Sequence, residues 1–504
     1  MNYLAVSRLY SDGGLGRRAY GHGMSTRLSS ADAAWLHMDR PTNLMVINSV
    51  LLFDQPVDWE RAKEITQRRL VDRYPRFREK VVDSRRPFGP PRWELDADFA
   101  LEHHMHHLAM PSPGDPGQLQ ELAGELMTVP LDRNRPLWQS YLVDGYREGA
   151  ALIVRMHHCI ADGIALARVM FSLTDAEAEA GIEPLRPGYA ETRSRLLIGG
   201  APVPGTRRLK RVLDAGATVA RQGAHIAASP RHAARVAGAV TRDGTTALKL
   251  LLTPADAATA LKGEPRVSRR VAWSEPLSLA MIKRTAHANE ATVNDVLLAA
   301  VSGGLRHYLR DRHSPVGEIQ AMVPFNLRPL ERAVPRSLGN RFGLVLVSLP
   351  VGVSGSYRRL VQVSRRMDEI KRSREPAVSY GILSAAGVAP SAVQRRIVDM
   401  FSAKGTVVLT NVPGPTETVY FAGTAVRSVL VWAPTSGHIG MSISIFSYRG
   451  EVTVGLMVDA ALVPDPEQVV AALSQELARL EEIAPGHGRR RAPVRVPAGI
   501  PPPG

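Results

Sequence analysis

Strand-like and helical runs alternate through this chain in two series, and a long stretch with neither pattern separates them. Runs of branched residues at Leu44–Phe53 and Ala151–Met156 suit strands. Asp58–Tyr74 carries Ala62, Ile65, Leu70 and Val71 at helical spacing, and Ser29 or Ser30 is placed to cap a helix through Ala34, Trp35 and Met38. From Pro184 to about Gly263 the pattern loosens around Gly199, Gly200, Pro202, Pro204 and Pro230, and order resumes from Val267 to Ile483. This alternation predicts an α/β (α+β) chain in two halves, each a mixed sheet with helices. The expected divisions are a disordered extension or mis-assigned start at 1–23, a first subdomain at 24–183, a basic crossover at 184–265, a second subdomain at 266–485 and a Pro/Arg tail at 486–504. The chain has 504 residues, too many for one ordinary core, which agrees with more than one unit.

Composition narrows the function classes. The single cysteine, Cys159, excludes an intramolecular disulfide and fits a reducing compartment. Arg8 interrupts the only short apolar stretch near the N-terminus, so no secretory signal is read, and no apolar run reaches the ~20 residues of a membrane-spanning helix. The expectation is a cytoplasmic protein, soluble or peripheral to a lipid surface. Of the net charge of +15, eleven Lys/Arg against Asp214 and Asp243 between Thr192 and Lys249 supply +9. Such a stretch suits an anionic lipid surface, a coenzyme A phosphate, nucleic acid or simply a solvated linker. Few aromatics interleave with it, which argues against base stacking and hence against nucleic acid.

The segment with chemistry is "ALIVRMHHCIADGIALARVM", residues 151–170. A strand ending at Met156 delivers His157, His158, Cys159 and Asp162 to a loop, and Ile164 opens an apolar-spaced helix. Strand ends and the loops after them are where α/β sheets hold their sites. An imidazole titrating near 6.5 accepts a proton from an attacking alcohol at neutral pH. Asp162 could hold the loop or fix the imidazole tautomer, and Gly163 removes a side chain where the backbone turns closely. A zinc site would need more ligands than two adjacent histidines offer, so no metal is expected. A purely structural histidine pair remains the bland alternative. A second cluster, His103, His104, His106 and His107, falls on an expected strand whose period of two would split it between faces. It reads as a partly exposed strand.

The H-H-x-x-x-D-G string is the signature of the coenzyme A-dependent acyltransferase superfamily. Around it, "RLSSADAAWLHMDRPTNLM", "PLDRNRPLWQSYLVDG", "EATVNDVLLAAVSGGLRHYL", "MVPFNLRP", "SLGNRFG" and "VVLTNVPGP" follow in order. Over about residues 24–485 the chain thereby resembles the bacterial wax ester synthase/diacylglycerol acyltransferase family. The resemblance implies two chloramphenicol acetyltransferase-like subdomains facing each other across a tunnel. It also implies acyl-CoA as a substrate rather than a bound cofactor, and diacylglycerol or a long-chain alcohol as acceptor. His158 would be the base, His157 a less critical neighbour and Asp162 structural, with Arg328 as its ion partner. Pro136, Leu137 and Trp138 match the family's "PLW" element, and Asn294 and Asp295 its "ND" element. Trp138 could equally be core, and Asn294 with Asp295 a helix cap; Asn294 is also the candidate oxyanion donor. Rival readings are a condensation-type enzyme that uses a carrier-protein thioester, and a non-catalytic lipid-surface protein of the same fold.

Overall fold

The computed structural model describes residues 25–84, 89–182, 253–327, 335–373, 375–387 and 391–483. The basic crossover, including Arg207, Arg208, Lys210 and Arg211, lies outside the described residues, as do Arg328 and both expected terminal extensions.

Two mixed sheets dominate. The first has six strands in the order Tyr420–Phe421, Thr424–Trp432, Val46–Phe53, Gly149–His157, Trp138–Tyr146, Met105–Ala109. All pairs are antiparallel except the last, which is parallel. Val46–Phe53 and Gly149–His157 are buried along their whole length, as central strands covered on both faces must be, and this is why each reads as a continuous apolar run. The second sheet runs Phe342–Leu349, Ile319–Asn326, Val407–Pro413, Met441–Tyr448, Glu451–Asp459, Arg269–Trp273, with Leu277–Ser278 pairing alongside Glu451–Asp459. Its middle pairs, Ile319–Asn326 with Val407–Pro413 and Val407–Pro413 with Met441–Tyr448, are parallel. Thr424–Trp432 comes from the second series of elements yet pairs with Val46–Phe53 of the first, setting Val429 opposite Leu51. The two halves are therefore tied by a shared sheet as well as by facing surfaces.

Helix Ser30–Met38 starts where Ser29 accepts from the amide of Asp32 at 3.1 Å, the expected cap. Asp58 likewise caps Trp59–Ile65, which continues as a π-helical turn over Thr66–Val71. Helices Val293–Asp311, Ser356–Arg372 and Pro466–Glu482 cover the second sheet, and Arg359 meets Glu476 there with both side chains almost wholly buried.

The histidine cluster differs from the expected strand. His103 ends a short 3-10 turn, Leu101–His103, and pairing begins only at Met105. His104 is buried rather than partly exposed, because its ring stacks on Trp138 at 4.8 Å and its Nδ1 meets the Trp138 carbonyl at 2.8 Å.

Candidate active site

His158 follows directly on the strand Gly149–His157, and its amide donates to the Met45 carbonyl at 2.7 Å, so the neighbouring strand's entry fixes where the loop leaves the sheet. The ring lies against Trp35, stacked at 4.1 Å and 15°, with Phe342 tilted 5.3 Å away. Its Nδ1 stands 2.9 Å from Oδ1 of Asn340.

Neighbouring groups settle which atom donates. Asn340 Nδ2 faces Oδ1 of Asp32 at 2.8 Å and the His158 carbonyl at 2.7 Å, two atoms that only accept. The amide must therefore present its oxygen to the imidazole, and Nδ1–H donates to it. That leaves the lone pair on Nε2. The ring is buried, and burial is the largest influence on its basicity: it lowers the pKa from the ordinary 6.5, against the opposing pull of its own carbonyl, Asp162, Asn340 and Asp32. At neutral pH this histidine is an uncharged base in the Nδ1–H tautomer.

Asn340 arrives from the second half of the chain. Leu338 and Gly339 adopt left-handed backbone, with φ of 52° and 93°, and Gly339 N–H donates to the Ile160 carbonyl at 3.0 Å. The turn thus docks "SLGNRFG" onto the histidine loop. Asp32 takes both the Asn340 amide, at 2.9 Å, and its side chain, while its other oxygen receives Arg76 at 3.3 Å. Asn340 and Asp32 were not singled out as site residues from the sequence. Both lie inside strings that carried the resemblance, but nothing local says that residues 308 positions apart share a bond.

Asp162 does two structural jobs. Oδ1 accepts from the Ala165 amide at 2.8 Å and so caps helix Gly163–Phe171; Oδ2 accepts from the Arg341 amide at 3.0 Å. One link to the second half runs through that backbone N–H, and the expected partner Arg328 falls outside the described residues. Gly163 is not a turn glycine. It begins the helix with helical backbone, and a Cβ there would meet nothing within 4 Å.

His157 points elsewhere. Its Nδ1 accepts from the Cys159 amide at 3.1 Å, Nε2 sits 3.9 Å from Asp39, and burial drives its pKa down to about 3. It is a neutral wedge in the turn. The neighbouring Cys159 thiol is buried and its pKa is pushed up, which makes a poor nucleophile. Among the described residues no group of three or more His, Cys, Asp or Glu is arranged to hold a metal.

The "PLW" element braces the histidine strand from outside the cavity. The Leu137 carbonyl accepts from the His157 amide at 2.9 Å, the Trp138 amide donates to Pro136 at 2.9 Å, and buried Trp138 sends Nε1 to the Phe77 carbonyl at 3.0 Å. Asp295 closes a capping box with Thr292, which is the cap in place of Asn294. Asn294 does not line the cavity; its Oδ1 accepts from Asn411 Nδ2 at 3.0 Å, and Asn411 does line it.

That cavity lies between the sheets; the space within its lining, open solvent included, is about 970 Å³. His158, Trp35, Gly163 and Val431 border it from the first sheet's side, and Met322, Phe342, Leu344, Val408 and Asn411 from the second's. Its lining, apolar with few polar atoms, suits a hydrocarbon-bearing ligand. No helix among the described residues is long and apolar enough to cross a membrane.

Comparison with known proteins agrees with this geometry. The chain is 29% identical over 467 residues, 90% of its length and 98% of the relative's, to a probable diacylglycerol O-acyltransferase of Mycobacterium tuberculosis. Its fold resembles the wax ester synthase/diacylglycerol acyltransferase from Marinobacter aquaeolei VT8, with a TM-score of 0.63 at 23% identity, covering 91% of this chain and 100% of that one. The first condensation domain of the calcium-dependent antibiotic synthetase shares the fold at a TM-score of 0.57 and 16% identity, covering 92% and 97% of the two chains. The family profile described as the wax ester synthase/diacylglycerol acyltransferase catalytic domain matches residues 28–297, and that of the C-terminal domain matches residues 338–481. The chain belongs to the wax ester synthase/diacylglycerol acyltransferase family and is an acyltransferase.

Proposed function

We propose that the protein moves a fatty acyl group from coenzyme A to a lipid alcohol, diacylglycerol or a long-chain alcohol, with His158 as general base and no bound cofactor. The observation that carries this reading is the buried imidazole held in the Nδ1–H tautomer by Asn340, on the wall of an apolar cavity. The acceptor hydroxyl hydrogen-bonds to Nε2 and loses its proton there as its oxygen attacks the thioester carbonyl. Asn340, Asp32 and Asp162 favour the transient imidazolium. The tetrahedral oxyanion needs a donor, and Asn411, oriented by Asn294, supplies one from the cavity wall. Collapse expels the coenzyme A sulfur, which takes the proton from Nε2 and leaves as the thiol. Burial protects the thioester from water.

The apolar substrates partition into lipid, and the basic crossover with Arg207, Arg208, Lys210 and Arg211 suits docking on an anionic surface at about 1 kcal/mol per charge. Liposome flotation at low and high salt tests this part; binding indifferent to salt and to removal of the four charges refutes it. The transfer itself is tested by incubating the purified protein with palmitoyl-CoA. Free coenzyme A should appear only when an alcohol is added. Equal release without alcohol, or turnover only of a carrier-protein thioester, overturns the proposal.

A further inference from the structure

Helix Ser30–Met38 sends two side chains toward His158. Asp32 and Trp35 stand three residues apart along it and so share a face. Asp32 reaches the imidazole at its edge, through Asn340. Trp35 covers the ring itself, 15° from parallel with centroids 4.1 Å apart. Phe342 lies 5.3 Å from His158 and 5.5 Å from Trp35, so it leans on the pair from the side rather than sandwiching the imidazole. Trp35 is buried and also lines the catalytic cavity.

Packing alone would be met by any large apolar side chain at this position. Tryptophan adds an N–H and an electron-rich face. No group among the described residues accepts from Nε1, so the N–H does not account for the residue. The face meets a ring that is neutral at rest and cationic only while it holds the acceptor's proton. An indole attracts a cation within about 6 Å of its centroid, most strongly where water is excluded. A contact that strengthens only as the charge forms lowers the barrier instead of merely binding the ground state. The other groups acting on this imidazole are Asp162 and His157 from its own segment, Asp32 from the helix and Asn340 from the second half. Asp32 also holds Arg76, and both Asp162 oxygens accept backbone amides. We propose that the indole face of Trp35 holds the imidazolium of His158 during acyl transfer, as a positioning residue that itself exchanges no proton. The inference rests on the general-base reading above.

The test replaces Trp35 site-selectively by tryptophans carrying one to four ring fluorines, which withdraw charge from the face and keep the ring's outline. Coenzyme A release from palmitoyl-CoA with a long-chain alcohol is followed between about pH 4.5 and 8. The kcat should fall with each fluorine, reaching about 30-fold at four, which is the ~2 kcal/mol of a desolvated contact. The acid limb should move to lower pH in step, because a weakened face favours the protonated ring less. Trp35→Phe, which breaks no hydrogen bond to the described residues, should keep part of the rate, and Trp35→Leu less. A flat kcat across the fluorinated series, or a fall with the acid limb unmoved, overturns the proposal. Turnover by folded His158→Ala protein would sink the base reading and this inference with it. Loss of turnover there beside a flat fluorine series would sink this inference alone.

Discussion

Replacing Asn340 by alanine removes the acceptor for His158 Nδ1–H, a donor to the His158 carbonyl and a donor to Asp32, while the backbone bond to Asp32 survives. Orphaning a buried polar group costs about 1–3 kcal/mol, so the variant should lose about 2–4 kcal/mol of stability. The kinetic effect comes from the bond that strengthens as the imidazole gains its proton. Hydrogen bonds to charged groups are worth about 1.5–3 kcal/mol, which corresponds to a 10–150-fold fall in kcat. This stays below the ~10⁴-fold ceiling for removing a general base. The pH profile separates orientation from simple loosening. Activity needs neutral His158 and is lost as pH falls through its pKa, already below 6.5. Asn340 raises that pKa, so Asn340→Ala should carry the acid limb to lower pH while the plateau drops. Coenzyme A release from palmitoyl-CoA between pH 4.5 and 8 (about the range set by an unperturbed histidine) reads both. Added to His158→Ala, the substitution should cost nothing further. A folded Asn340→Ala enzyme with unchanged kcat and acid limb refutes the reasoning.

Asp162→Ala should lose about 2–3 kcal/mol through the missing cap and the Arg341 contact, seen as a lower melting temperature, with activity per folded molecule falling less than for His158→Ala. Because burial lowers the His157 pKa from 6.5 to about 3, the unfolded chain binds the extra proton, and stability should decline as pH drops through that window at about 1.4 kcal/mol per unit; His157→Gln should flatten the slope in urea melts. Arg359→Met should cost about 3–5 kcal/mol by stranding the buried Glu476 carboxylate, and a denaturation midpoint unchanged from the wild type contradicts the pairing. Asn411→Ala should lower kcat by about 10²-fold with little change in KM, and Asn294→Ala by less, since it acts through Asn411.

Local pattern carried much of the architecture. Val46–Phe53 and Gly149–His157 announce themselves because both faces are covered, leaving no polar alternation to dilute the run. Ser29 is a recognisable cap because capping is settled within four residues. The His158 loop is legible for the same reason: strand, turn and helix follow one another in sequence. Its orienting partner is not. Asn340 reaches the imidazole only because a left-handed Leu338–Gly339 turn lies against Ile160, a contact that folding creates between distant segments. Asn294 was read as facing the substrate, whereas the helix cap at Thr292 turns it toward Asn411. Thr424–Trp432 joining the first sheet is likewise a matter of topology, invisible in the strand's own residues. His104, read as strand, is claimed instead by the ring of Trp138.

The central claim is that His158 Nε2 takes the proton of the acceptor hydroxyl. Its most direct measurement is coenzyme A release by His158→Ala beside His157→Ala, with folding of both checked by thermal melt. His158→Ala should lose about 10²–10⁴-fold in kcat and His157→Ala clearly less. Full turnover by folded His158→Ala protein would contradict the mechanism.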